Sequence, residues 1–216
     1  HPYDPLHIRH QCEQSLKNLG TDYIDIYYLH NTRYGDGDAY LADAAEMAHR
    51  LRDEGKVRFI GQSGNVADHR RVLPVSKPDV LQFSYSLLGR GAEKPHDIFT
   101  LAREQNLGTV LFGTIAKGVL LGKYTPEKVG EFGPGDTRQN NKQFQREFLE
   151  AFTPKLEKAK TVFGREIPDL LRMAIQFTLR LPEASCVIVG FRNTAQVEMN
   201  APVSGKPLTP AEIALL

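Results

Sequence analysis

The sequence predicts an α/β fold in which parallel strands alternate with crossover helices. Strand-like and helix-like segments alternate five times along the 216 residues, at intervals of roughly 25–40 residues. The strand-like segment 186–189 is almost continuously apolar, which is typical of a strand covered on both faces. No Gly-x-Gly-x-x-Gly motif follows the first strand segment, which argues against a doubly wound dinucleotide-binding sheet.

The first half of the chain begins with a helix and continues as strand–helix pairs. Ile8, Cys12 and Leu16 recur at helical spacing, and Gly20 is placed to end that helix. The strands are predicted at 23–29, 57–61, 80–84 and 109–112, where β-branched and aromatic residues are frequent. The helices between them are predicted at 39–52, 69–75 and 97–105, and Gly55 is expected to stop the first of these.

The second half is predicted to be less regular. Residues 125–165 show the least order, with a turn-rich run over 130–136 and a polar stretch over 138–147. Beyond them, an amphipathic helix is predicted over 167–179, a strand over 186–189 and the start of another helix over 195–200.

The two ends of the sequence differ in their helix signals. Thr209, Pro210 and Glu212 form a helix start, with Thr209 as the N-cap and Glu212 completing a capping box. The sequence stops about two helical turns later, and no helix-start signal is recognised at its first residue, His1. We therefore expect residues 1–216 to be a single domain that is truncated at both ends; the alternative is a small complete domain with a frayed terminal helix.

The composition is that of an ordinary globular protein. Hydrophobic residues make up 41% and charged residues 25% of the chain, and the formal net charge is +1. A net charge this small does not indicate the strong positive electrostatic field that would attract nucleic acid or an anionic membrane. No apolar run is long enough to span a bilayer. Cys12 and Cys186 lack metal-ligand spacing, so no metal site is predicted. Both are expected to pack as small hydrophobic residues, which fits a reducing, cytoplasmic location.

Five motifs, in order, resemble those of the aldo-keto reductase family. The motifs are Leu19-Gly20-Thr21-Asp22-Tyr23-Ile24-Asp25 leading to Leu29-His30, Gly55-Lys56-Val57-Arg58-Phe59-Ile60-Gly61-Gln62-Ser63, Pro78-Asp79-Val80-Leu81-Gln82, Ala116-Lys117-Gly118-Val119-Leu120-Leu121-Gly122-Lys123-Tyr124 and Val187-Ile188-Val189-Gly190-Phe191-Arg192-Asn193. The resemblance covers essentially the whole chain and implies a (β/α)₈ TIM barrel, of which this chain supplies strands 4 to 8 and their helices. Tyr85-Ser86-Leu87-Leu88-Gly89-Arg90 and Gly135-Asp136-Thr137-Arg138 further resemble the subgroup related to potassium-channel β subunits.

The resemblance implies a catalytic role for His30. In such barrels the active site lies at the carboxyl ends of the strands, and His30 directly follows the strand at 23–29. A histidine there can donate a hydrogen bond to a substrate carbonyl oxygen and stabilise the developing alkoxide; the alternative is a buried structural histidine. The family's proton-donor tyrosine and its lysine and aspartate partners belong to the first three strands, and no residue here is assigned to those roles.

The resemblance also implies that hydride comes from NADPH. The residues with an implied cofactor role are Ser63 and Gln82 at the nicotinamide carboxamide, Phe112 stacked on the ring, Gly113, Ile115, Ala116, Gly118 and Lys123 near the pyrophosphate, and Gly190, Arg192, Thr194, Gln196 and Asn200 near the adenosine. Arg192 can bind a 2′-phosphate, which favours NADP over NAD. Structural alternatives are a core aromatic for Phe112, a solvated lysine for Lys123 and a surface arginine for Arg192.

Two departures from the family pattern affect these assignments. Ser63 is followed by Gly64, where the family commonly has Asn, and Asn65 comes one residue later. Met199 stands where the family often has Glu before Asn200, which puts one adenine contact in doubt.

Arg138, Phe144 and Phe148, in the long segment 125–165, are expected to face the substrate pocket, unless that segment is disordered or covers the cofactor.

We therefore expect an oxidoreductase that reduces an aldehyde or ketone, a small-molecule carbonyl substrate, to an alcohol with NADPH. His30, Phe112 and Arg192 should then face one bound dinucleotide. One alternative is a non-catalytic NADP(H)-binding regulatory subunit on the same fold. Another is a short part of a barrel that completes itself by pairing with a second chain, for example in a homo-oligomer. Five strands leave an open sheet edge at which such pairing can occur.

Overall fold

The structure is a computed structural model that describes residues 1–89, 98–128 and 132–216. Asp97 of a predicted helix, Arg90 of the subgroup motif and residues 130–131 of the turn-rich run lie outside these ranges. The chain divides into two compact units, one within residues 1–84 and 91–110 and the other within residues 85–90 and 111–216. Among the described residues, no helix has both the length and the hydropathy that crossing a membrane requires.

The first unit alternates helices and strands. It contains α1 (Pro5–Leu19), β1 (Ile24–Leu29), α2 (Leu41–Asp53), β2 (Val57–Ser63), α3 (Val66–Ser76), β3 (Val80–Ser84) and α4 (Ile98–Glu104), and β4 (Gly108–Phe112) starts there. The strands are hydrogen-bonded in the order of the chain. β1 pairs with β2 and β2 with β3 in parallel, with Ser63 opposite Gln82. The predicted parallel α/β organisation is confirmed, and the register places Ser63, the last residue of β2, beside Gln82 within β3.

Two helices of this unit begin at cap residues that were not among the predicted helix starts. The Asp4 side chain accepts the backbone N–H groups of Leu6 and His7, and Pro5 follows at the first helical position. The expectation that the chain enters without a start signal was therefore wrong. Asn65 likewise caps α3 by accepting the N–H of Asp68, so this helix begins at Val66 rather than at His69.

The core of the first unit lies between the helices and the sheet. Cys12, Leu51, Ile60 and Val72 are all buried in one cluster. Each buried Leu, Ile or Val side chain stabilises the fold by about 1.5–3 kcal/mol relative to an exposed one. Cys12 packs as a small hydrophobic residue, as predicted.

The second unit contains the remaining elements. They are the end of β4, α5 (Arg146–Phe163), α6 (Ile167–Leu179), β5 (Cys186–Ile188), α7 (Thr194–Asn200) and α8 (Pro210–Leu215). The predicted bounds of α6 are confirmed to the residue. Cys186 is exposed at the start of β5, so the expectation that it packs as a small hydrophobic residue was wrong.

The prediction of least order over 125–165 was wrong for its second half, which forms the 18-residue helix α5. Leu149, Leu156, Ala159 and Phe163 are buried along one face of this helix and pack in the core of the second unit. Burial of that stripe outweighs Pro154 inside the helix, which removes one backbone hydrogen bond. Short 3₁₀ turns occupy Ala116–Leu121, Pro126–Lys128 and Lys142–Phe144.

The last helix, α8, starts as the sequence predicts and is held to α6 by an ion pair. Thr209 accepts the N–H of Glu212, and the Glu212 carboxylate accepts the N–H of Thr209 at 2.7 Å. Arg172 on α6 donates to both carboxylate oxygens of Glu212, at 2.7 and 2.9 Å. The same guanidinium also donates to the carbonyl oxygens of Lys206 and Pro207, so one side chain fixes the segment that leads into α8.

Candidate active site and cofactor cleft

Two predicted site residues of the first unit, His30 and Ser63, lie at strand ends, and a third, Gln82, lies in the middle of β3. His30 directly follows β1 and is exposed. Ser63 ends β2 and is buried, and its Oγ donates to Oε1 of Gln82 on β3 at 3.1 Å. The register that sets Ser63 opposite Gln82 makes this contact possible. The two residues assigned to one carboxamide therefore do lie together.

A buried histidine supports the backbone at Gln82. His69 on α3 is fully buried, and its Nε2 lies 3.2 Å from the carbonyl oxygen of Gln82. Burial lowers the pKa of this imidazole, so the neutral form, with Nε2–H as the donor, is favoured. The same carbonyl oxygen accepts the backbone N–H of Gly64 at 3.1 Å. The backbone beside the Ser63–Gln82 pair is thus held from two directions.

Asn65, which lies one position beyond the place where family members commonly have Asn, is the N-cap of α3. Its Oδ1 accepts the N–H of Asp68 at 3.0 Å, and its Nδ2 donates to the Asp68 carboxylate at 2.5 Å. Both ends of the amide are engaged in capping α3. The chain therefore uses this residue for helix capping.

A buried polar network that was not predicted from the sequence lies beside His30. The side chains of Gln62 and Tyr34 are fully buried, and the Tyr34 hydroxyl donates to Gln62 Oε1 at 2.5 Å. Gln62 Nε2 lies within 3.1 Å of the carbonyl oxygens of Leu29 and Asn31, which flank His30. Burial raises the pKa of the Tyr34 hydroxyl, which therefore stays protonated as a donor.

In the second unit, a cleft of about 600 Å³ gathers seven of the predicted cofactor residues. These residues are Ile115, Gly118, Lys123, Gly190, Arg192, Gln196 and Asn200. Four other predicted residues of this unit are not among those that line it. Ala116 is buried, Phe112 is the last residue of β4 and Gly113 directly follows it, and Thr194 is exposed at the start of α7.

The charge of the cleft is mainly positive. It is lined by Lys117, Lys123, Arg138 and Arg192, together with the carboxylate of Asp136. Arg138 donates to Asp136 through Nε at 2.8 Å and to the Tyr124 hydroxyl at 2.7 Å. The side-chain hydrogen bonds from Arg138 lower the pKa of the Asp136 carboxyl. A cleft with this excess of cations suits the phosphate groups of a nucleotide.

The backbone is unusual in the segment that supplies Ile115, Lys117, Gly118 and Leu121 to the cleft. Ala116 and Lys117 have positive φ angles of 47° and 53°, and Gly118 follows with 97°. Left-handed conformations cost about 1–2 kcal/mol for residues with a Cβ atom, and such strain concentrates at functional sites. Lys117 is tied down at its far end, because its Nζ donates to Thr137 Oγ1 at 2.9 Å.

The opposite wall is formed by the turn from β5 into α7. Asn193 caps α7 by accepting the N–H of Gln196 at 3.0 Å. The Gln196 side chain in turn accepts the backbone N–H of Arg192 at 2.7 Å. Gln196 therefore holds the turn that presents the exposed Arg192 side chain at the cleft.

Arg138, Phe144 and Phe148 do not face one pocket. Arg138 lines the charged cleft, Phe144 is buried in the core of the unit, and Phe148 lines a separate apolar cavity with Leu120 and Met173. The cleft residues Tyr124, Asp136 and Thr137 were not predicted as site residues, although the run Gly135-Asp136-Thr137-Arg138 had been singled out as a family-like motif. In that run, a turn-forming glycine followed by charged residues was the sequence signal that could have indicated a binding site.

Parallel strands that end in polar residues, together with a cation-lined cleft at a strand-to-helix turn, define a class of α/β proteins suited to phosphate-bearing ligands. The chain belongs to the aldo-keto reductase family: the model described as "Aldo/keto reductase family" matches residues 2–216. The resemblance drawn from the five motifs is thereby confirmed.

Individual relatives agree with this membership. The chain is 29% identical over 213 residues to the NADH-specific methylglyoxal reductase of Escherichia coli K12, and 31% identical over 203 residues to the aldo-keto reductase YhdN of Bacillus subtilis 168. It covers 64% and 57% of those proteins, and they match 98% and 90% of the chain. The chain thus spans less than two thirds of the length of these relatives.

Solved structures show the same fold. The glycerol dehydrogenase of Gluconobacter oxydans matches 99% of the chain with a TM-score of 0.78 and 25% identity, over 63% of its own length. The holo form of an aldo-keto reductase from Bacillus halodurans matches 99% of the chain with a TM-score of 0.72 and 24% identity, over 64% of its length. The similarity to the subgroup related to potassium-channel β subunits stays a prediction.

Proposed function

We propose that the chain belongs to an oxidoreductase that reduces an aldehyde or ketone to an alcohol with hydride from NADPH. The observation that carries this proposal is the cleft of the second unit, where Lys123, Arg192 and five other predicted cofactor residues meet. Family membership supports a carbonyl reductase, as do the names of a methylglyoxal reductase and a glycerol dehydrogenase among the similar proteins. The five strands are assigned to strands 4 to 8 of the family's (β/α)₈ barrel, and residues 1–216 to one barrel domain.

The residues of the first unit have the chemistry that this reaction needs at the nicotinamide and the substrate. A nicotinamide cofactor, when bound, supplies the hydride. The polar side chains of Ser63 and Gln82 can bind its carboxamide. Phe112, which belongs to the second unit, offers an exposed aromatic face for stacking. His30 donates a hydrogen bond to the carbonyl oxygen as negative charge develops there. No residue of this chain is assigned as the proton donor.

The residues of the second unit fit the phosphate and adenosine parts of the cofactor. Small residues such as Gly118 and Gly190 allow the backbone to approach a pyrophosphate closely. Gln196 and Asn200, one helical turn apart on α7, offer amide groups to the adenosine. Arg192 can donate two parallel hydrogen bonds to a 2′-phosphate, which is why we propose NADP rather than NAD.

The cofactor preference is testable because the Escherichia coli relative is named as NADH-specific. Arg192→Ala should weaken NADPH binding about tenfold or more, since a charge-assisted phosphate contact is lost, and should leave NADH binding nearly unchanged. The measurement is a fluorescence titration of each dinucleotide. Arg165→Ala is the matched control, because Arg165 is exposed, pairs with Glu157 and does not line the cleft.

Equal losses of NADPH and NADH affinity in Arg192→Ala would contradict the 2′-phosphate role, and tighter binding of NADH than NADPH by the unaltered protein would overturn the NADP assignment. A non-catalytic NADP(H)-binding regulatory subunit on the same fold is the second candidate, because the cleft that carries the proposal would bind the dinucleotide in either case. Assay of the natural gene product with methylglyoxal and NADPH distinguishes the two, because a regulatory subunit would bind the dinucleotide without turnover. Homo-oligomerisation and a cytoplasmic location stay predictions.

A further inference from the structure

The segment that carries His30 is fixed by buried neutral side chains. The carbonyl oxygen of Leu29, immediately before His30, and that of Asn31, immediately after it, each lie 3.1 Å from Nε2 of Gln62. An amide nitrogen carries two hydrogens, so one Gln62 side chain can serve both carbonyls. His30 therefore stands between two backbone groups that are held by the same residue.

The orientation of the Gln62 amide is determined by its partners. Nε2 faces only acceptors, because a third carbonyl oxygen, that of Ser63, lies 3.0 Å away. Oε1 faces a donor, the Tyr34 hydroxyl, at 2.5 Å. A flipped amide would place oxygen against three carbonyl oxygens, so the network admits one orientation. Tyr34 thus locks the rotation of the Gln62 side chain.

Neighbouring side chains add further restraints on the same segment. The Tyr3 hydroxyl donates to the carbonyl oxygen of Asn31 and accepts its N–H, each at 2.7 Å, and the Tyr3 ring stacks on Tyr34 with ring centroids 4.4 Å apart. Arg71 on α3 donates to the carbonyl oxygen of Thr32 at 2.7 Å. Unlike the exposed His30 ring, these contacts lie in or near the core.

We infer that Gln62 and Tyr34 are positioning residues for His30, which set the direction of its imidazole by fixing the backbone on both sides of it. This inference rests on the proposed role of His30 at a substrate carbonyl. Hydrogen-bond catalysis depends on placement, since a misplacement of about 1 Å can cost about a hundredfold in rate. Neither residue needs to touch substrate or cofactor. Their contribution should therefore affect turnover rather than dinucleotide binding.

The test uses the natural gene product with methylglyoxal and the preferred dinucleotide. Gln62→Met keeps the length of the side chain and removes both the donor and the acceptor, and Tyr34→Phe removes only the hydroxyl that locks the amide. We expect kcat to fall about tenfold or more in Gln62→Met and less in Tyr34→Phe. KM for methylglyoxal and Kd for the dinucleotide should stay within about twofold.

Gln176 provides a matched control in the second unit. It is also a buried glutamine whose Nε2 bridges two carbonyl oxygens, those of Val203 at 2.6 Å and Ser204 at 2.7 Å. Gln176→Met should lower the melting temperature about as much as Gln62→Met while leaving kcat unchanged. If both variants lower kcat equally, Gln62 acts through general stability and the inference is wrong.

The outcomes separate this inference from the proposed function. A folded Gln62→Met with unchanged kcat, alongside a His30→Ala variant that has lost activity, overturns the positioning role only. Unchanged kcat in His30→Ala overturns the proposed role of His30 itself. If Gln62→Met fails to fold, Tyr34→Phe decides: unchanged kcat in that folded variant overturns the inference, and reduced kcat with unchanged KM supports it.

Discussion

The strand ends of the first unit and the cleft of the second unit hold their polar groups in opposite ways. Around His30 and Ser63, the supporting side chains Gln62, Tyr34 and His69 are buried and are held in their neutral forms. The cleft is instead lined by cationic side chains, and one of them, Arg138, is held by an ion pair with Asp136. Neutral buried hydrogen bonds fix geometry with little dependence on salt, whereas partly exposed charges create a field that salt screens. The first arrangement suits chemistry, and the second suits attraction of a phosphate-bearing ligand.

The largest effect is expected from removing the group that the neutral network presents. His30→Ala should lower kcat for methylglyoxal reduction by about two orders of magnitude, because the hydrogen bond to the developing alkoxide is lost. Dinucleotide affinity should stay within about twofold of the unaltered protein. Steady-state kinetics and a fluorescence titration measure the two quantities. His10→Ala, an exposed histidine on α1, is the control, and an equal loss in that variant would remove the specific role of His30.

A smaller effect is expected from changing the charge balance of the cleft. Asp136→Asn keeps an oxygen that can accept the Arg138 Nε–H and backbone N–H, which Asp136 Oδ1 now accepts at 2.8 and 2.9 Å. Among the described residues it removes the only carboxylate that lines the cleft, so NADPH should bind about two- to fivefold more tightly at low salt. The gain should shrink as ionic strength rises. Weaker binding at low salt would show that the carboxylate is needed to position Arg138, against the view of the cleft as mainly a charge field.

The smallest effect is expected from the ion pair that anchors α8. Hydrogen bonds from Arg172, then from the backbone of Thr209, lower the pKa of Glu212 from 4.5 to about 2. Because the pKa in the folded state is depressed, this stabilisation is complete above the unfolded-state value. It is lost as the pH falls from about 4.5 towards about 2.

Glu212→Gln should therefore lower the free energy of unfolding by about 1 kcal/mol at pH 7, which shifts Tm by about 2–4 °C. Thermal melts between pH 3 and pH 7 should show the difference narrowing below about pH 4.5. Glu150→Gln is the control, because Glu150 forms an exposed pair with Arg146 at 3.8 Å. A difference that widens at low pH would have the wrong sign for this linkage.

Local signals predicted much of the fold. The bounds of β3 and α6 agree with the sequence pattern to the residue, and the capping box of Thr209 and Glu212 forms as predicted. Where the prediction failed, two different causes operate. Asp4 and Asn65 are cap signals that were present in the sequence, whereas α5 is stabilised by burial of widely spaced apolar residues within a polar segment.

The candidate site was predictable where it follows strand ends and family-like motifs, as for Ser63, Gln82 and Arg192. The supporting network was not, because the hydrogen bond between Tyr34 and Gln62 joins residues 28 positions apart. It depends on the parallel register that sets Leu29 opposite Gln62. A glutamine inside an apolar strand pattern carries no sign of which backbone groups it will meet in the fold.

The left-handed backbone at Ala116 and Lys117 limits how this part of the chain can vary among related proteins. Val, Ile and Thr are poorly tolerated in such conformations, whereas Gly, Asn and Asp adopt them at little cost. The range of residues acceptable at these two positions is therefore set by the backbone before any ligand is considered. Sequence variation at Ala116 and Lys117 should therefore follow the backbone conformation of the turn. Differences in ligand preference should instead be sought at Lys123, Arg138 and Arg192.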